Sequence, residues 1–314
     1  MNSASPVDIS VVIPVLNEYA TILELHRQLK ESLDSTGKDY ELIFIDDGST
    51  DNSFLLLERL CSGDPKTKVV QFRGNFGKSA AYTEGFREAR GAIIFTIDGD
   101  LQDDPKEIPR FLEEISKGYD LISGWKVRRH DPLSKVIASR IFNFVISLMS
   151  GIKIHDFNCG FKCYRSEVCK SFKIYGELYR LIPVLAAWKG FRVGELQVQH
   201  RPRISGKSKF GTQRLARGFF DFLTVLFLTR FARRPLHFFG TVGTLVSGAG
   251  FLICLYLSTL WVKGYRPIGN RPLLLLGVLM LILGIQFLSL GLIGEMITSK
   301  FPEEEDASIV RKRI

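Results

Sequence analysis

Four acidic residues follow one short apolar segment of the chain. Residues 92–97 read Ala-Ile-Ile-Phe-Thr-Ile, and Asp98, Asp100, Asp103 and Asp104 come after them. Residues i and i+2 of a strand point the same way, so Asp98 and Asp100 can approach one hard cation. Two carboxylates are too few to enclose Mg²⁺ or Mn²⁺, and they suit an ion completed by substrate phosphates and water. The motif predicts a nucleoside-diphosphate site, and a polar turn is the alternative.

The elements that must position these residues alternate through residues 8–125. Apolar, β-branched runs and segments of helical spacing follow one another along this region. This βαβα order predicts a mostly parallel sheet with helices on both faces. Neither a GxGxxG after the first strand nor a GxxxxGKS motif is present, so dinucleotide and P-loop sites are weak alternatives. The predicted strands are residues 9–15, 42–45, 69–72 and 92–97, and the predicted helices are residues 19–33, 54–60 and 80–89.

Polar segments follow three of the predicted strands. They are residues 14–18, 46–49 and 98–100, and they contain five acidic side chains. The carboxyl ends of parallel strands share one edge of a sheet, so these carboxylates are expected to meet in one crevice. Clustered carboxylates repel one another, so several must be paired, metal-bound or protonated. Arg73 and Lys78, which follow another strand, can supply the counter-charge.

The composition is basic, with a formal net charge of +9. Such a charge favours anionic partners: nucleic acid, anionic lipid or a phosphorylated substrate. No nucleic-acid recognition motif accompanies it, so no nucleic-acid partner is expected. The five Cys residues lack the spacing of a zinc site, and their odd number without an export signal predicts a reducing compartment.

Two stretches in the C-terminal third, residues 238–261 and 272–294, contain no charged residue. A helix of about 20 residues crosses the ~30 Å hydrocarbon core of a bilayer. The stretches predict a transmembrane hairpin, and a pair of buried helices in a soluble protein is the alternative. Gly277, Gly284 and Gly291 recur every seven residues on one face, which lets another helix approach closely.

Basic residues flank the two predicted spans. Three arginines within residues 230–234 precede the first span, and Lys300 and residues 311–313 follow the second. By the positive-inside rule, the N-terminal domain and the C-terminus are expected in the cytoplasm and the protein in the cytoplasmic (inner) membrane. Three basic residues in the loop 263–271 weaken this signal.

Two further segments, residues 135–149 and 214–231, combine apolar residues at helical spacing with basic ones. The second directly precedes the first span, so it is expected to lie along the lipid headgroups. The first is expected to be similar, with an ordinary core helix as the alternative. Its apolar side consists of Ile137, Ile141, Phe144, Val145 and Leu148.

Four motifs follow one another along the chain: IPVLNE at 13–18, DDGSTD at 46–51, NFGK at 75–78 and DGDLQD at 98–103. Each is weak alone, but the ordered set resembles the inverting family 2 glycosyltransferases with the GT-A fold. More narrowly, nearly the whole chain resembles the polyisoprenyl-phosphate glycosyltransferases, the dolichol-phosphate mannose synthase group. The resemblance implies an α/β, GT-A (Rossmann-like) domain with a mostly parallel sheet and a C-terminal two-helix transmembrane hairpin.

The expected domains follow from the resemblance and from the composition. Residues 1–210 form the cytoplasmic glycosyltransferase domain, residues 211–234 a juxtamembrane amphipathic helix, residues 235–298 the two transmembrane helices and residues 299–314 a basic cytoplasmic tail.

The resemblance also implies roles for individual residues. A divalent metal, Mg²⁺ or Mn²⁺, is expected on Asp98, Asp100 and Gln102. The nucleotide is expected on Pro14, Asn17, Glu18, Asp46, Asp47, Lys78 and Gly99. The acceptor phosphate is expected on Arg128, Arg140, Arg203, Lys207 and Lys209, with general attraction of anionic lipid as the alternative. Residues 124–129 as a whole resemble the segment of the family that binds the lipid phosphate.

Asp156 and Asp100 are the expected catalytic residues. Asp156 opens the segment 156–165 and corresponds to the candidate base of the family. A phosphate monoester has a second pKa near about 6 and is largely ionised at neutral pH, so Asp156 can instead orient the nucleophile or hold an arginine. Asp103 and Asp104 are expected to cap a helix that begins at Pro105.

The expected reaction is inverting, metal-dependent transfer of a hexose, glucose from UDP-glucose, to polyprenyl (undecaprenyl) phosphate. A mannose synthase using GDP-mannose is one alternative, and a non-catalytic membrane scaffold that keeps the nucleotide pocket is another. A processive polysaccharide synthase would need a QxxRW motif, which residues 213–218 do not match. The glycine face and the family suggest a homo-oligomer, with a tetramer among the possible states.

Overall fold

A computed structural model describes residues 7–127, 133–171, 174–176, 178–202, 235–265 and 272–300. The described residues fall into two compact units, residues 7–202 and residues 235–300. The predicted residues Arg128, Arg203, Lys207 and Lys209 and the juxtamembrane segment 211–234 lie outside the described residues.

The N-terminal unit is built on a seven-stranded sheet with the order β3-β2-β1-β4-β6-β5-β7. All pairings are parallel except those of β6, which runs antiparallel between β4 and β5. The predicted mostly parallel sheet is therefore confirmed. The strands are β1 Ile9–Val15, β2 Tyr40–Asp46, β3 Thr67–Gln71, β4 Ile93–Thr96, β5 Leu121–Lys126, β6 Lys162–Arg165 and β7 Val193–Val198.

The helices of this unit cover the sheet. In α1 the four positions with helical spacing, Ile22, Leu25, Leu29 and Leu33, are fully buried. Strands β1 and β2 are apolar along nearly their whole length because helices cover both of their faces. The helices are α1 Tyr19–Asp34, α2 Ser53–Gly63, α3 Lys78–Glu88, α4 Ile108–Ser116, α5 Leu133–Ser150, α6 Ser166–Lys170 and α7 Ile182–Trp188, with 3₁₀ turns at Pro105–Glu107 and Leu178–Arg180.

Helix α5 exposes the apolar side that its sequence predicts. Ile141, Phe144 and Leu148 are 60%, 69% and 72% exposed. Asn143 and Ile146 are buried and face the rest of the unit. The residues of α5 whose burial is described therefore do not form an ordinary core helix, because three large apolar side chains are exposed.

The C-terminal unit is a hairpin of two apolar helices, α8 Pro235–Val262 and α9 Pro272–Lys300. Both are long and apolar enough to cross a membrane. A Cβ on Gly284 would lie 2.6 Å from the backbone nitrogen of Ser247, and one on Gly250 would lie 2.7 Å from the carbonyl oxygen of Gly277. The predicted glycine face thus does admit a second helix, and that helix is α8 of the same chain. The glycine face therefore no longer argues for a homo-oligomer.

Candidate active site

The site lies at the carboxyl ends of three adjacent parallel strands, β2, β1 and β4. The backbone N–H of Asp47 donates to the carbonyl of Val15 at 2.8 Å, and that of Ile97 donates to the carbonyl of Val12 at 3.2 Å. These bonds continue the ladders to the points where the acidic motifs begin. The predicted convergence of three strand ends is therefore present in the fold.

Asn17 joins the loops that follow β1 and β2. Its backbone is in the left-handed region, with φ of 52°, and its N–H donates to Oγ of Ser49 at 2.9 Å. Its side-chain oxygen accepts from the N–H of Thr50 at 2.7 Å. Beside it, the N–H of Glu18 donates to Oγ of Ser53 at 3.0 Å. In the structure Asn17 thus connects the two loops, and its side-chain oxygen already accepts a hydrogen bond from Thr50.

Asp46 and Asp47 differ in what their carboxylates contact. Both oxygens of Asp47 accept backbone N–H bonds, from Phe76 at 2.7 Å and from Gly77 at 3.0 Å. Burial outweighs these bonds and raises the pKa of Asp47. Asp46 is fully buried, and among the described residues its Oδ2 has no hydrogen-bond partner. Buried polar atoms are rarely left unpaired, so the Oδ2 of Asp46 is an acceptor that a donor group of a bound ligand could satisfy.

Lys78, the first residue of α3, pairs with Asp98. Burial opposes the charge of Lys78, but the carboxylate of Asp98 outweighs it and raises the pKa of the amine. Burial likewise opposes ionisation of Asp98, yet Lys78 and Lys126 hold the pKa of that carboxyl below its ordinary value. The amine also lies over the ring of Tyr179, 5.2 Å from its centroid. Asp98 is therefore an anion held in place by a cation from α3, the helix that precedes β4 in the chain.

The predicted metal ligands offer only oxygen atoms. Asp100 is 7% exposed, and its Oδ1 accepts the N–H of Gln102 at 3.2 Å across a left-handed turn at Leu101. Gln102 is half-buried. Carboxylate and amide oxygens suit Mg²⁺ or Mn²⁺. The described part of the chain contains no cluster of three or more His, Cys, Asp or Glu suited to a metal ion. The residues present thus fit an ion that takes its remaining ligands from a bound phosphate.

Gly99 and Pro14 bring the first and third strand ends together. The carbonyl of Gly99 accepts from Oγ1 of Thr21 at 2.7 Å. A Cβ on Gly99 would lie 3.3 Å from the carbonyl oxygen of Pro14 and 3.8 Å from Cγ of Glu18. The glycine therefore lets the turn at residues 98–102, which contains the predicted metal ligands, lie close to the loop after β1.

Asp103 and Asp104, the two acidic residues after the turn at residues 98–102, have different contacts. Asp104 caps the 3₁₀ turn at Pro105 by accepting the N–H of Lys106 at 3.1 Å, as predicted. The same prediction is wrong for Asp103, whose buried Oδ1 lies 2.6 Å from Nζ of Lys126. Burial raises the pKa of Asp103, although Lys126 acts in the opposite direction. Lys126, at the end of β5, is thus engaged in an internal ion pair.

Asp156 lies in a loop, residues 156–161, that is tied to its surroundings on several sides. Its side chain is buried, and Oδ1 accepts the N–H of Asn158 at 3.1 Å. The amide of Asn158 donates to Oδ1 of Asn143 in α5 at 3.2 Å. Lys162 donates to the carbonyls of Cys159 and Phe157. Burial lowers the pKa of Lys162 to about 8. The sequence indicated Asp156, but it did not indicate this buried lysine behind it.

The segment that leads to the predicted basic loop contacts the turn at residues 98–102. The N–H of Arg201 donates to the carbonyl of Gln102 at 2.8 Å, and His200 pairs with Asp103 in an antiparallel bridge. The guanidinium of Arg201 contacts Asp104 and donates to Oε1 of Gln28 at 2.8 Å. The last described residues before Arg203, residues 200–202, therefore begin beside Gln102. Of the predicted acceptor residues, the described part includes only Arg140, which is exposed on α5.

Comparison with known proteins agrees with this arrangement. The fold and the site define an α/β enzyme of the GT-A type. Residues 10–172 match the family model "Glycosyl transferase family 2". The chain belongs to glycosyl transferase family 2 and is a membrane glycosyltransferase, which confirms the resemblance and excludes the non-catalytic scaffold.

Two curated relatives and one solved structure illustrate the similarity. Dodecaprenyl-phosphate galacturonate synthase of Rhizobium johnstonii is 36% identical, over 96% of this chain and 90% of the relative. Undecaprenyl-phosphate 4-deoxy-4-formamido-L-arabinose transferase of Pseudomonas paraeruginosa is 35% identical, over 92% and 85%. Glucosyl-3-phosphoglycerate synthase of Mycobacterium tuberculosis, solved with Mn²⁺, UDP and phosphoglyceric acid, has a TM-score of 0.53 at 21% identity and covers 71% of this chain and 78% of its own. That last likeness concerns the fold.

Proposed function

We propose that this protein transfers a sugar from a nucleoside diphosphate to the phosphate of a polyprenyl phosphate, with inversion, at the cytoplasmic face of the membrane. The observation that carries the proposal is one of position. An oxygen-only ligand set and a lysine meet at the strand ends of a chain that also contains a transmembrane hairpin. The two curated relatives are similar to this chain over nearly its whole length, and their names describe sugar transfer involving a polyprenyl phosphate. They support the proposed class of acceptor.

The donor side of the proposed mechanism uses the three strand ends. Asp46, with its unpaired Oδ2, takes a donor group of the nucleotide, while Asp47 holds the Phe76–Gly77 loop. Asp98, Asp100 and Gln102 would hold Mg²⁺ or Mn²⁺ when the nucleoside diphosphate is bound. The bound ion would neutralise the charge that develops on the leaving diphosphate. Lys78 supplies a second positive charge on the same side.

The acceptor side needs little base catalysis. A lipid phosphate with a second pKa near about 6 is already a nucleophile at neutral pH. Asp156 is buried and accepts the N–H of Asn158, which suits a residue that orients its surroundings, and an ionised acceptor phosphate has little need of a base. We therefore assign Asp156 the orientation of the acceptor or of an arginine that holds it.

The exposed side of α5 and the apolar hairpin support the proposed placement at the membrane. Exposed apolar residues of α5 and the exposed Arg140 suit a helix that lies among lipid headgroups. Arg128, Arg203, Lys207 and Lys209 are proposed to bind the acceptor phosphate, since the segment before Arg203 begins beside Gln102. The domain limits 1–210, 211–234, 235–298 and 299–314 and the cytoplasmic orientation belong to the same proposal.

The identity of the sugar is the most open part of the proposal. UDP-glucose is the donor expected from the sequence. The names of the two relatives, however, specify galacturonate and 4-deoxy-4-formamido-L-arabinose. The nucleotide sugars that carry these two groups must therefore be assayed as donors beside UDP-glucose.

The test is a direct assay of lipid-linked product. Purified full-length protein, polyprenyl phosphate and Mg²⁺ or Mn²⁺ are incubated with UDP-glucose, UDP-galacturonic acid, UDP-4-deoxy-4-formamido-L-arabinose and GDP-mannose in turn. We expect one donor to give product, and we expect EDTA or Asp98→Ala to remove the activity. Asp156→Asn separates orientation from base catalysis, because an asparagine keeps the shape and loses the charge. Undiminished turnover of Asp98→Ala in excess EDTA would overturn the metal mechanism.

A further inference from the structure

Gly160 lies directly against the carboxylate of Asp98. A Cβ at position 160 would be 2.5 Å from Oδ2 and 2.6 Å from Oδ1 of Asp98, distances that real Cβ atoms essentially never show. The backbone of Gly160 is not among those with positive φ. The position therefore needs glycine for space and not for backbone conformation.

The loop 156–161 that contains Gly160 is fastened from behind. The carbonyl of Gly160 accepts from Oγ1 of Thr96 at 2.8 Å. The N–H of Gly124 donates to the carbonyl of Phe161 at 2.9 Å, and Lys162 holds the carbonyls of Phe157 and Cys159. A side chain at position 160 could not be accommodated by a small retreat of the loop, because these bonds come from three strands, β4, β5 and β6.

Asp98 is equally restricted on its other side. Lys78 pairs with its Oδ1 and is itself enclosed by the rings of Tyr82 and Tyr179. The carboxylate is thus held between an ammonium group and the Cα of a glycine. Moving it away from position 160 would disturb the ion pair.

We propose that Gly160 is a positioning residue for the donor site: its missing side chain lets the loop that contains Asp156 close directly on Asp98. One backbone segment then sets both the place of the carboxylate on the donor side and the place of Asp156 on the acceptor side. This inference rests on the proposed function in so far as Asp98 serves the donor diphosphate.

The test compares Gly160→Ala with Gly63→Ala, whose added methyl group meets nothing within 4 Å and lies at the end of α2. The full-length variants are titrated with UDP in the presence of Mn²⁺ by calorimetry, and Mn²⁺ binding is followed by electron paramagnetic resonance. We expect the affinity of Gly160→Ala for Mn²⁺ and UDP to fall about 10- to 100-fold, as for other supporting residues of metal sites. Gly63→Ala should bind like the wild type.

A second measurement examines the contact itself. The melting temperatures of Gly160→Ala, Asp98→Ala and the double variant form a thermodynamic cycle. Removing the carboxylate makes room for the new methyl group, so Gly160→Ala should lower the melting temperature in the wild-type background and not in the Asp98→Ala background. If Gly160→Ala fails to fold, recovery of folding in the double variant supports the contact, and failure of both variants overturns it.

The two hypotheses fail in different ways. Equal binding by Gly160→Ala and the wild type, or equal thermal loss in both backgrounds, would reject the role of Gly160 and leave the proposed function intact. A wild-type protein that binds no UDP with Mn²⁺ would reject the donor site, and with it the role of Gly160 there.

Discussion

At the scale of single residues, the site is held together by charges and amides that the sequence separates widely. Lys126 and Asp103 come from different elements and form an ion pair in the interior. The place of Asp98 and Asp100 at the end of a strand could be predicted, because their spacing after an apolar run is itself the signal. The partner of Asp103 could not, because no local pattern links β5 to the turn after Asp100. Sequence reasoning therefore gave Asp103 the local role of a cap.

The Lys126–Asp103 pair makes a prediction about stability. Lys126→Met leaves the buried Asp103 without its cation, and such losses destabilise proteins by about 3–5 kcal/mol. The double variant Lys126→Met with Asp103→Leu removes both charges and should regain most of that free energy of unfolding. Thermal or denaturant unfolding of the two full-length variants measures the difference. A double variant no more stable than Lys126→Met would show that the ion pair is not the source of the loss.

Lys162 makes a prediction about pH. Its pKa is about 8 in the folded protein, below its ordinary value of 10.5, so between these values the unfolded chain binds a proton that the native protein does not. Stability therefore rises with pH across this window, by about 1.4 kcal/mol per pH unit from this group. The melting temperature of the wild type relative to Lys162→Met should increase between about pH 7.5 and about pH 9.5. The exposed Lys38→Met is the control, and the same pH dependence in both variants would contradict the assignment.

At the scale of elements, periodicity predicted most of the first half of the sheet. The apolar runs of β1 and β2 and the spacing in α1 depend on burial, which a sequence records directly. The second half was not predicted, because β6 is short and pairs antiparallel with β4 and β5, a choice made by long-range packing. Helix α5 was predicted as amphipathic, and the structure shows that Ile141, Phe144 and Leu148 of its apolar side are exposed.

The exposed face of α5 makes a prediction about the lipid substrate. Replacing Phe144 and Leu148 by Asn removes apolar area that the proposed function places among lipids. We expect the KM for polyprenyl phosphate to rise about tenfold, which corresponds to ~1.4 kcal/mol, with little change in UDP affinity. Leu55→Asn, at an exposed position of α2, is the matched control. An unchanged KM in a lipid bilayer would contradict the assignment of this face.

At the scale of the whole molecule, composition alone separated the two units. An uncharged stretch long enough to cross a bilayer can be recognised from the sequence alone. The helix against which its glycines pack cannot. The structure supplies that partner, since Gly243, Gly250, Gly277 and Gly284 interlock within one hairpin. In a bilayer, where apolar burial adds little between helices, such close contacts are a main source of attraction.

The hairpin makes a prediction with an internal control. Gly284→Val would force a side chain against Ser247 and Gly243, and overpacking of this kind costs about 1–3 kcal/mol or more. Gly248→Val adds the same side chain to a span at a position with nothing within 4 Å. We expect the first variant to lower the melting temperature of the detergent-solubilised protein and the second to leave it nearly unchanged. Equal losses would mean that valine acts through the helix backbone alone.

The exposed stripe Ile141, Phe144 and Leu148 also has a practical consequence for anyone who handles the protein. Deleting α8 and α9 would remove the spans but not this stripe, which belongs to the sheet-containing unit. Contiguous apolar surface drives self-association in water. A truncated enzyme would therefore remain an amphiphile: colloidally unstable in plain buffer, retained by liposomes, and dependent on mild detergent during chromatography.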